Sequence, residues 1–86
     1  MLSIVYSEKF ISQFEEQSLK IQKLALKRIE MFKIDHKHPS LKTHKLNGVL
    51  KDYFSFSVDY DHRIVFEFGE KGIVHFLKIG SHEVYR

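Results

Sequence analysis

The strongest constraint on the fold of this chain is a change in the spacing of its apolar residues. Before Pro39 they recur three or four positions apart, which places them along one face of a helix. After Gly48 they alternate with polar residues, as in strands that have one buried face. The chain therefore predicts an α+β fold in which most of the strands follow the helices.

The first half predicts one short strand and two helices. Residues 2–6 are rich in β-branched and aromatic side chains, which favour a strand. Ser7 fits an N-cap, and Glu8 would complement the dipole of the helix that follows. Pro39 disfavours helical geometry at the residue before it, so the second helix must end upstream. The expected apolar positions are Phe10, Ile11 and Phe14 on the first helix, and Ile21, Leu24, Ala25, Ile29 and Phe32 on the second.

The second half predicts an antiparallel meander of three strands. Turn residues at 59–62 and 69–72 separate the alternating runs, and these connections are too short for parallel crossovers. With only 86 residues, a second core would bury too little apolar surface to be stable. We expect a single domain over residues 1–86, with the order β-α-α-β-β-β and a helical hairpin packed on one face of a small antiparallel sheet.

The alternation also predicts which side chains lie on the sheet face opposite the helices, here called the open face. On the first two meander strands these are Ser55, Ser57, Arg63 and Glu67. On the last strand the expected core residues are Ile73, Leu77 and Ile79, which leaves Val74, Phe76, Lys78 and His82 on the open face. Arginine can bind a phosphate with two parallel hydrogen bonds, and histidine transfers protons near neutral pH. The open face therefore favours phosphodiester chemistry, and the alternative is an ordinary solvated face.

Positive charge is concentrated in one part of the chain. Residues 20–51 contain nine Lys and Arg against two acidic residues, a net charge of +7, whereas the remaining residues carry −4. Such a segment attracts polyanions or an acidic protein partner more strongly than the overall charge of +3 implies. The alternative is a lysine-rich helix face that contacts only solvent.

The composition excludes several other kinds of protein. There is no cysteine, which excludes disulfides, thiolate catalysis and zinc–sulfur sites. His36 and His38 lie two positions apart without a third convergent ligand, so we expect no metal site and no cofactor. No apolar run approaches the ~20 residues that a membrane span needs. We expect a cytoplasmic protein that does not contact a membrane.

Three segments, taken together and in this order, resemble the RelE/ParE toxin superfamily. They are LKTHKLNG at 41–48, DHRIVF at 61–66 and IGSHEVY at 79–85. The resemblance also covers the length and the element order, and it is greatest to the ribosome-dependent mRNA endonucleases of the RelE, YoeB and YafQ kind. It implies a RelE-like fold and the toxin of a bacterial type II toxin–antitoxin pair.

The resemblance implies roles for five residues. His44 matches a glutamate in YoeB-like and a histidine in YafQ-like members, both implicated in proton transfer, and Arg63 matches the arginine that YoeB-like enzymes use on the scissile phosphate. His82 matches a C-terminal histidine that serves as acid or base. Asp61 matches an acidic residue of YafQ-like enzymes, and Tyr85 falls near a C-terminal aromatic.

One position departs from the family. YafQ-like members have a further histidine on the first meander strand, where this chain has Ser57. The chain therefore combines the histidine loop of one group with the arginine of the other. This leaves open which group removes the proton, although His44 is the favoured base and His82 the favoured acid.

The family mechanism needs no metal and begins with attack of an mRNA 2′-hydroxyl on the adjacent phosphorus. Within it, the lysines expected to contact RNA are Lys45, Lys51 and Lys78 near the phosphate, and Lys20, Lys23 and Lys27 on the basic helix. The implied partners are mRNA and ribosomal RNA in the ribosomal A site, and an antitoxin whose acidic segment covers the basic surface. Operator DNA would be contacted only through the antitoxin.

Two other functions remain open within the same superfamily. ParE-like members are not enzymes and inhibit DNA gyrase by binding it, but they typically lack the set of His44, Arg63 and His82. A degenerate toxin, active only in a complex with its antitoxin and operator, is the other alternative, and Ser57 keeps it open.

Overall fold

The computed structural model describes residues 1–48 and 52–81 and confirms the α+β fold. The elements are β1 (Ser3–Tyr6), α1 (Glu8–Glu15), α2 (Leu19–Ile34), a 3₁₀ turn (Pro39–Leu41), β2 (His44–Lys45), β3 (Phe54–Ser57), β4 (Arg63–Phe68) and β5 (Ile73–Gly80). Within these described residues, no helix is long and apolar enough to cross a membrane. The order differs from the predicted one only by β2, which at two residues is too short for an alternating pattern to reveal.

The strands form one five-stranded sheet in the order β1-β5-β4-β3-β2. The meander β3-β4-β5 is antiparallel, as predicted, and β2 extends it at the β3 edge. At the other edge β1 runs parallel to β5, with Ser3 paired to Ile73 and Tyr6 to Phe76. The sheet is therefore mixed, whereas the sequence predicted an antiparallel one. The helical hairpin between β1 and β2 is therefore the connection that carries the chain from one edge of the sheet to the other.

Serine side chains begin both helices. The hydroxyl of Ser7 accepts a hydrogen bond from the backbone N–H of Phe10 at 2.9 Å, and that of Ser18 accepts one from Ile21 at 3.2 Å. Each satisfies an N–H that has no partner within its helix. The Ser7 hydroxyl also donates to the carbonyl oxygen of Leu77 at 2.9 Å, which fastens the start of α1 to β5.

The helices bury their predicted apolar stripe against aromatic side chains of the sheet. Phe32 of α2 lies at the centre, with ring centroids 4.8, 4.9 and 5.4 Å from those of Phe56, Phe66 and Phe76. The buried α2 residues are Ile21, Ala25, Ile29 and Phe32, and Leu24 packs at their margin. On α1 only Phe10 is buried; Ile11 is 48% exposed, so its predicted core position is wrong.

The predicted orientation of β5 is wrong over its first half. Val74 and Phe76 are fully buried in the core, whereas Ile73 is 37% exposed and Leu77 only half-buried. The cause is an irregularity in the β4–β5 ladder: Val65 pairs with Lys78 but the next residue, Phe66, pairs with Phe76. The extra residue, Leu77, shifts the alternation by one position, as a β-bulge does. Lys78 and Ile79 lie beyond it and keep their predicted faces.

Candidate functional site

The cross-strand pairing brings His44 and Arg63 to the same face of the sheet. His44 pairs with Ser55, which pairs with Val65 and through it with Lys78. The next row of the same face contains Ser57, Arg63 and Gly80. Arg63 thus lies one row along and two strands across from His44, a backbone separation of about 12 Å given strands ~4.8 Å apart and a rise of ~3.3 Å per residue. The two residues therefore share one face of the sheet.

Part of the open face is shielded from solvent. Ser55 is fully buried and Ser57 nearly so. A small apolar cluster of Leu46 and Val65, with Tyr53 packed against it, covers part of this face. The aromatic side chain near the predicted site is therefore Tyr53 rather than Phe76, which faces the core.

The ring of His44 is held in one tautomer by the backbone. Its Nδ1 lies 3.1 Å from the carbonyl oxygen of Lys42. A carbonyl only accepts hydrogen bonds, so Nδ1 carries the proton and Nε2 presents its lone pair. Nε2 lies 3.5 Å from the Ser55 hydroxyl, too long for a strong hydrogen bond, and the side chain is exposed. An exposed Nε2 whose only described contact is this long one is the arrangement that a general base requires.

Lys42 adopts an unusual backbone conformation to make this contact. Its φ and ψ are 50° and 44°, in the left-handed region, where a side chain costs about 1–2 kcal/mol. The residue follows the 3₁₀ turn and donates its N–H to the carbonyl of Pro39 at 3.2 Å. Such strain persists where the surrounding structure imposes it, and here it directs the Lys42 carbonyl toward His44.

Arg63 is positioned by the turn that precedes it. Its Nη1 donates to the carbonyl oxygens of Asp59 at 2.7 Å and His62 at 3.2 Å. These two bonds hold one side of the guanidinium. Because the guanidinium has five N–H donors, the others remain available to a ligand.

The carboxylate of Asp59 organises that turn. Its Oδ1 accepts hydrogen bonds from the backbone N–H groups of Asp61 at 2.9 Å and His62 at 2.7 Å, and from Nδ1 of His62 at 2.9 Å. Burial raises the pKa of this carboxyl, but the hydrogen bonds and the charge of His62 outweigh burial and lower the pKa below its ordinary value of 3.8. Asp59 is therefore an ionised anchor for the backbone that holds Arg63.

Two clefts flank the sheet edge beside these residues. One, of 380 Å³ and here called the arginine cleft, is lined by Arg28, Ser40, Lys42, Ser57, Asp59 and Arg63, together with Val58 and Tyr60. The other, of 400 Å³, is lined by Phe54 and Phe68 and by histidines and lysines that include His36, His38, His44 and Lys45. Lys42 borders both clefts and separates them.

The other predicted site residues lie in different places. Asp61 is exposed in the turn before Arg63, and Lys78 is half-buried on the open face. The three lysines Lys20, Lys23 and Lys27 are exposed on α2, in the layer behind the sheet, so they do not join the open-face residues. Lys51, His82 and Tyr85 lie outside the described residues. Within residues 1–48 and 52–81, no group of three His, Asp or Glu side chains could hold a metal ion.

Sequence reasoning missed two residues of this region. Arg28 lies three positions after Ala25 and four before Phe32, so helical spacing places it beside the buried stripe. A charged residue at such a position is rarely buried without a partner, and this was the available signal. Asp59 gave none, because an aspartate in a turn is common whatever the function.

Comparison with known structures identifies the fold. The YoeB/ParE toxin from Agrobacterium tumefaciens aligns with a TM-score of 0.79 at 16% identity, over 94% of this chain and 99% of its own. YafQ from E. coli aligns with a TM-score of 0.74 at 20% identity, over 99% and 98%. The YoeB–YefM toxin–antitoxin complex from Staphylococcus aureus aligns with a TM-score of 0.75 at 17% identity, over 95% and 98%.

These likenesses confirm that the chain has the RelE/YoeB/YafQ toxin fold, which the three sequence segments predicted. No protein-family model and no curated protein sequence matches the chain. At 16–20% identity the structural likeness defines the fold alone.

Proposed function

We propose that this protein is the toxin of a toxin–antitoxin pair and that it cleaves mRNA on the ribosome. The observation that carries the proposal is that His44, with an accessible Nε2, and Arg63 lie on the same face of the sheet. A base and a phosphate-binding cation are two of the groups that cleavage of RNA by its own 2′-hydroxyl requires. Structures with this fold include YoeB and YafQ toxins, which supports the same class of function.

In the proposed reaction, Nε2 of His44 takes the proton of the ribose 2′-hydroxyl. The 2′-oxygen then forms a bond to the adjacent phosphorus, and the bond from phosphorus to the 5′-oxygen of the next nucleotide breaks. His82 donates the proton that this leaving oxygen needs. The products are a 2′,3′-cyclic phosphate and a free 5′-hydroxyl. The proposed reaction changes no oxidation state and uses no metal ion.

Arg63 stabilises the extra negative charge that develops on the phosphate oxygens. Its position is fixed before substrate arrives by the Asp59 and His62 carbonyl oxygens, so little reorganisation is needed. Lys45, Lys51 and Lys78 assist in holding the RNA backbone, and Asp61 and Tyr85 are further candidates for contacts with the reacting nucleotides. Lys20, Lys23 and Lys27, on the opposite layer, would contact ribosomal RNA while the open face contacts mRNA.

The proposed partner is an acidic antitoxin in the cytoplasm. The structure from S. aureus that shares this fold is a YoeB toxin in complex with its antitoxin YefM. In this chain the net charge of +7 over residues 20–51 favours an acidic segment. Operator DNA would be contacted through the antitoxin.

The test is cleavage of a translated mRNA by purified protein and ribosomes, with the RNA ends mapped. Wild-type protein should cut within codons, and only when the ribosomes are translating. His44→Ala and His82→Ala should each slow cleavage by roughly 100-fold or more, because positioned proton transfer contributes ~10²–10⁴-fold. Lys9→Gln, on α1, is the control and should cleave as the wild type does.

Two results would contradict the proposal. Intact transcripts together with DNA damage signalling in cells would favour a gyrase-binding toxin of the ParE kind. Equal cleavage by wild type and both histidine variants would remove the assigned acid and base.

A further inference from the structure

The arginine cleft contains a cation that the proposed reaction does not use. Arg28 reaches it from α2, whereas Arg63 reaches it from the start of β4 and Lys42 from the 3₁₀ turn. The Nε of Arg28 is buried, and it has no hydrogen-bond partner among the described residues. A buried donor without a partner costs about 1–3 kcal/mol, more when it is charged. The fold therefore maintains an unfavourable arrangement at this point.

The charges around the cleft do not balance. Among the described residues that line it, two arginines and one lysine accompany a single carboxylate, that of Asp59. One oxygen of that carboxylate, Oδ1, already accepts three hydrogen bonds from its own turn. The described lining of the cleft thus carries an excess of two positive charges, and an anion that enters it would relieve the repulsion between these cations.

The shape and the donors favour a phosphate group. A guanidinium presents parallel N–H donors that match two phosphate oxygens, and two such groups can grip one phosphate from two sides. The hydroxyls of Ser40 and Ser57 also line the cleft and supply neutral donors. Its 380 Å³ equals about a dozen water volumes, which is enough for a phosphodiester with part of its sugar.

We infer that Arg28, Arg63 and Lys42 form a binding pocket for a phosphate of single-stranded RNA, with Arg28 as its second guanidinium. The identity of the ligand rests on the proposed function, since Arg63 joins this cleft to the open face where the RNA would be cut. The pocket extends the RNA-binding surface past the sheet to α2. Arg28 is a binding residue in it and takes no part in proton transfer.

The test measures binding of a single-stranded RNA hexamer whose 2′-hydroxyls are methylated. This probe has no attacking hydroxyl, so binding is read without cleavage. Arg28→Gln removes the charge and the forked donors and should bind roughly 10- to 100-fold more weakly, as expected for loss of a charge-assisted hydrogen-bond pair. The slope of log affinity against log salt should also fall by about 0.7, the value for one phosphate contact on a single strand.

Two further variants separate charge from geometry. Arg28→Lys keeps the charge but loses the fork, and should bind between the wild type and Arg28→Gln. Lys9→Gln removes one charge from α1, away from the cleft, and should bind within about twofold of the wild type. Arg28→Gln should melt no lower than the wild type without RNA, because the Nε has no partner to lose. If Arg28→Gln binds RNA more weakly but is as stable as the wild type, the lost affinity is due to a missing contact in the pocket and not to a folding defect.

Two results would overturn the inference, and a third would separate it from the proposed function. Binding of the hexamer by Arg28→Gln within twofold of the wild type would show that Arg28 contacts no phosphate. Inorganic phosphate that binds the wild type as tightly as the hexamer would make the cleft a site for free anions. If the wild type binds the hexamer through Arg28 but cuts no mRNA on ribosomes, the pocket stands and the proposed function fails.

Discussion

Replacing Asp59 should make the position of the Arg63 side chain less fixed, although Arg63 itself is unchanged. The Asp59 carboxylate accepts three hydrogen bonds at 2.7–2.9 Å, and these shape the turn whose carbonyl oxygens hold the Arg63 guanidinium. Asp59→Ala removes all three acceptor contacts, whereas Asp59→Asn keeps an oxygen in place but removes the charge. The two variants therefore separate the geometry of the turn from its electrostatics.

The magnitude follows from the number and kind of bonds lost. Removing a side-chain acceptor that caps backbone N–H groups costs about 1 kcal/mol, and a charged acceptor costs more. Since the Asp59 side chain is about one-third exposed, water replaces part of what is lost. We expect Asp59→Ala to lower the free energy of unfolding by about 2 kcal/mol and Asp59→Asn by about 1 kcal/mol. For a domain of this size, 2 kcal/mol corresponds to a decrease in Tm of about 10 °C.

The pH dependence supplies an independent check on the cause. The pKa of Asp59 is lower in the folded protein than its ordinary value of 3.8, so folding favours the ionised carboxylate. Its stabilisation is complete above that value and is lost as the pH falls through the lower, folded pKa. The difference in unfolding free energy between wild type and Asp59→Asn should therefore be largest near pH 7 and shrink below pH 3.8.

Urea denaturation at pH 7 and pH 3, together with ribosome cleavage assays, measures these effects. Asp61→Asn is the matched control for stability, because Asp61 is exposed and two residues away, and it should change the unfolding free energy by less than about 0.5 kcal/mol. Cleavage by Asp59→Ala should fall at temperatures where the variant is still folded. A variant as stable as wild type at pH 7, or a stability difference that grows at pH 3, would show that Asp59 does not organise the turn.

Other predictions address the base, the core and the two lysine groups. His44→Gln should retain the wild-type Tm, since the ring is exposed, while cleavage falls roughly 100-fold; a loss of Tm would indicate a structural role instead. Phe76→Ala should destabilise the fold by about 3–5 kcal/mol and Ile73→Ala by less than about 1.5 kcal/mol in urea titrations, because the bulge in β5 buries the former and exposes the latter. A larger destabilisation by Ile73→Ala than by Phe76→Ala would instead indicate a regular β5 strand without a bulge. Neutralising the α2 lysines at 20, 23 and 27 should weaken ribosome binding and reduce its salt dependence, yet leave binding of the methylated hexamer within about twofold.

Most of the fold was predictable because local patterns and global packing agree. The serine caps at Ser7 and Ser18, the buried stripe of α2 and the antiparallel meander all follow from side-chain spacing. The parallel pairing of β1 with β5 was not predicted, because nothing in residues 2–6 indicates which strand they will join. The bulge at Leu77 was not predicted either. A regular strand would bury Ile73, Leu77 and Ile79, and a bulged strand buries Val74, Phe76 and Ile79. Both sets are apolar, so the sequence does not distinguish the two strands.

The site was predictable only in part. Resemblance to known toxins selected His44 and Arg63, and the ladder places them on one face. It could not select Arg28, whose spacing on α2 is that of a core residue and whose role depends on Lys42 and Arg63 arriving from distant parts of the chain. The tautomer of His44 was likewise hidden, because the left-handed backbone at Lys42 occurs at a lysine rather than at glycine.

The parallel pairing of β1 with β5 has a consequence for folding during translation. Ser7 and Leu77, joined by a hydrogen bond, are 70 positions apart, and β5, which lies between β1 and the rest of the sheet, follows the other four strands in the chain. At ~5–20 residues per second, several seconds pass before β5 exists. Throughout that interval the nascent helices lack the sheet that covers their aromatic stripe, and the row containing Arg63 lacks its neighbour. The complete sheet, with Arg63 paired to Gly80, can therefore form only after residues 73–80 have been added to the chain.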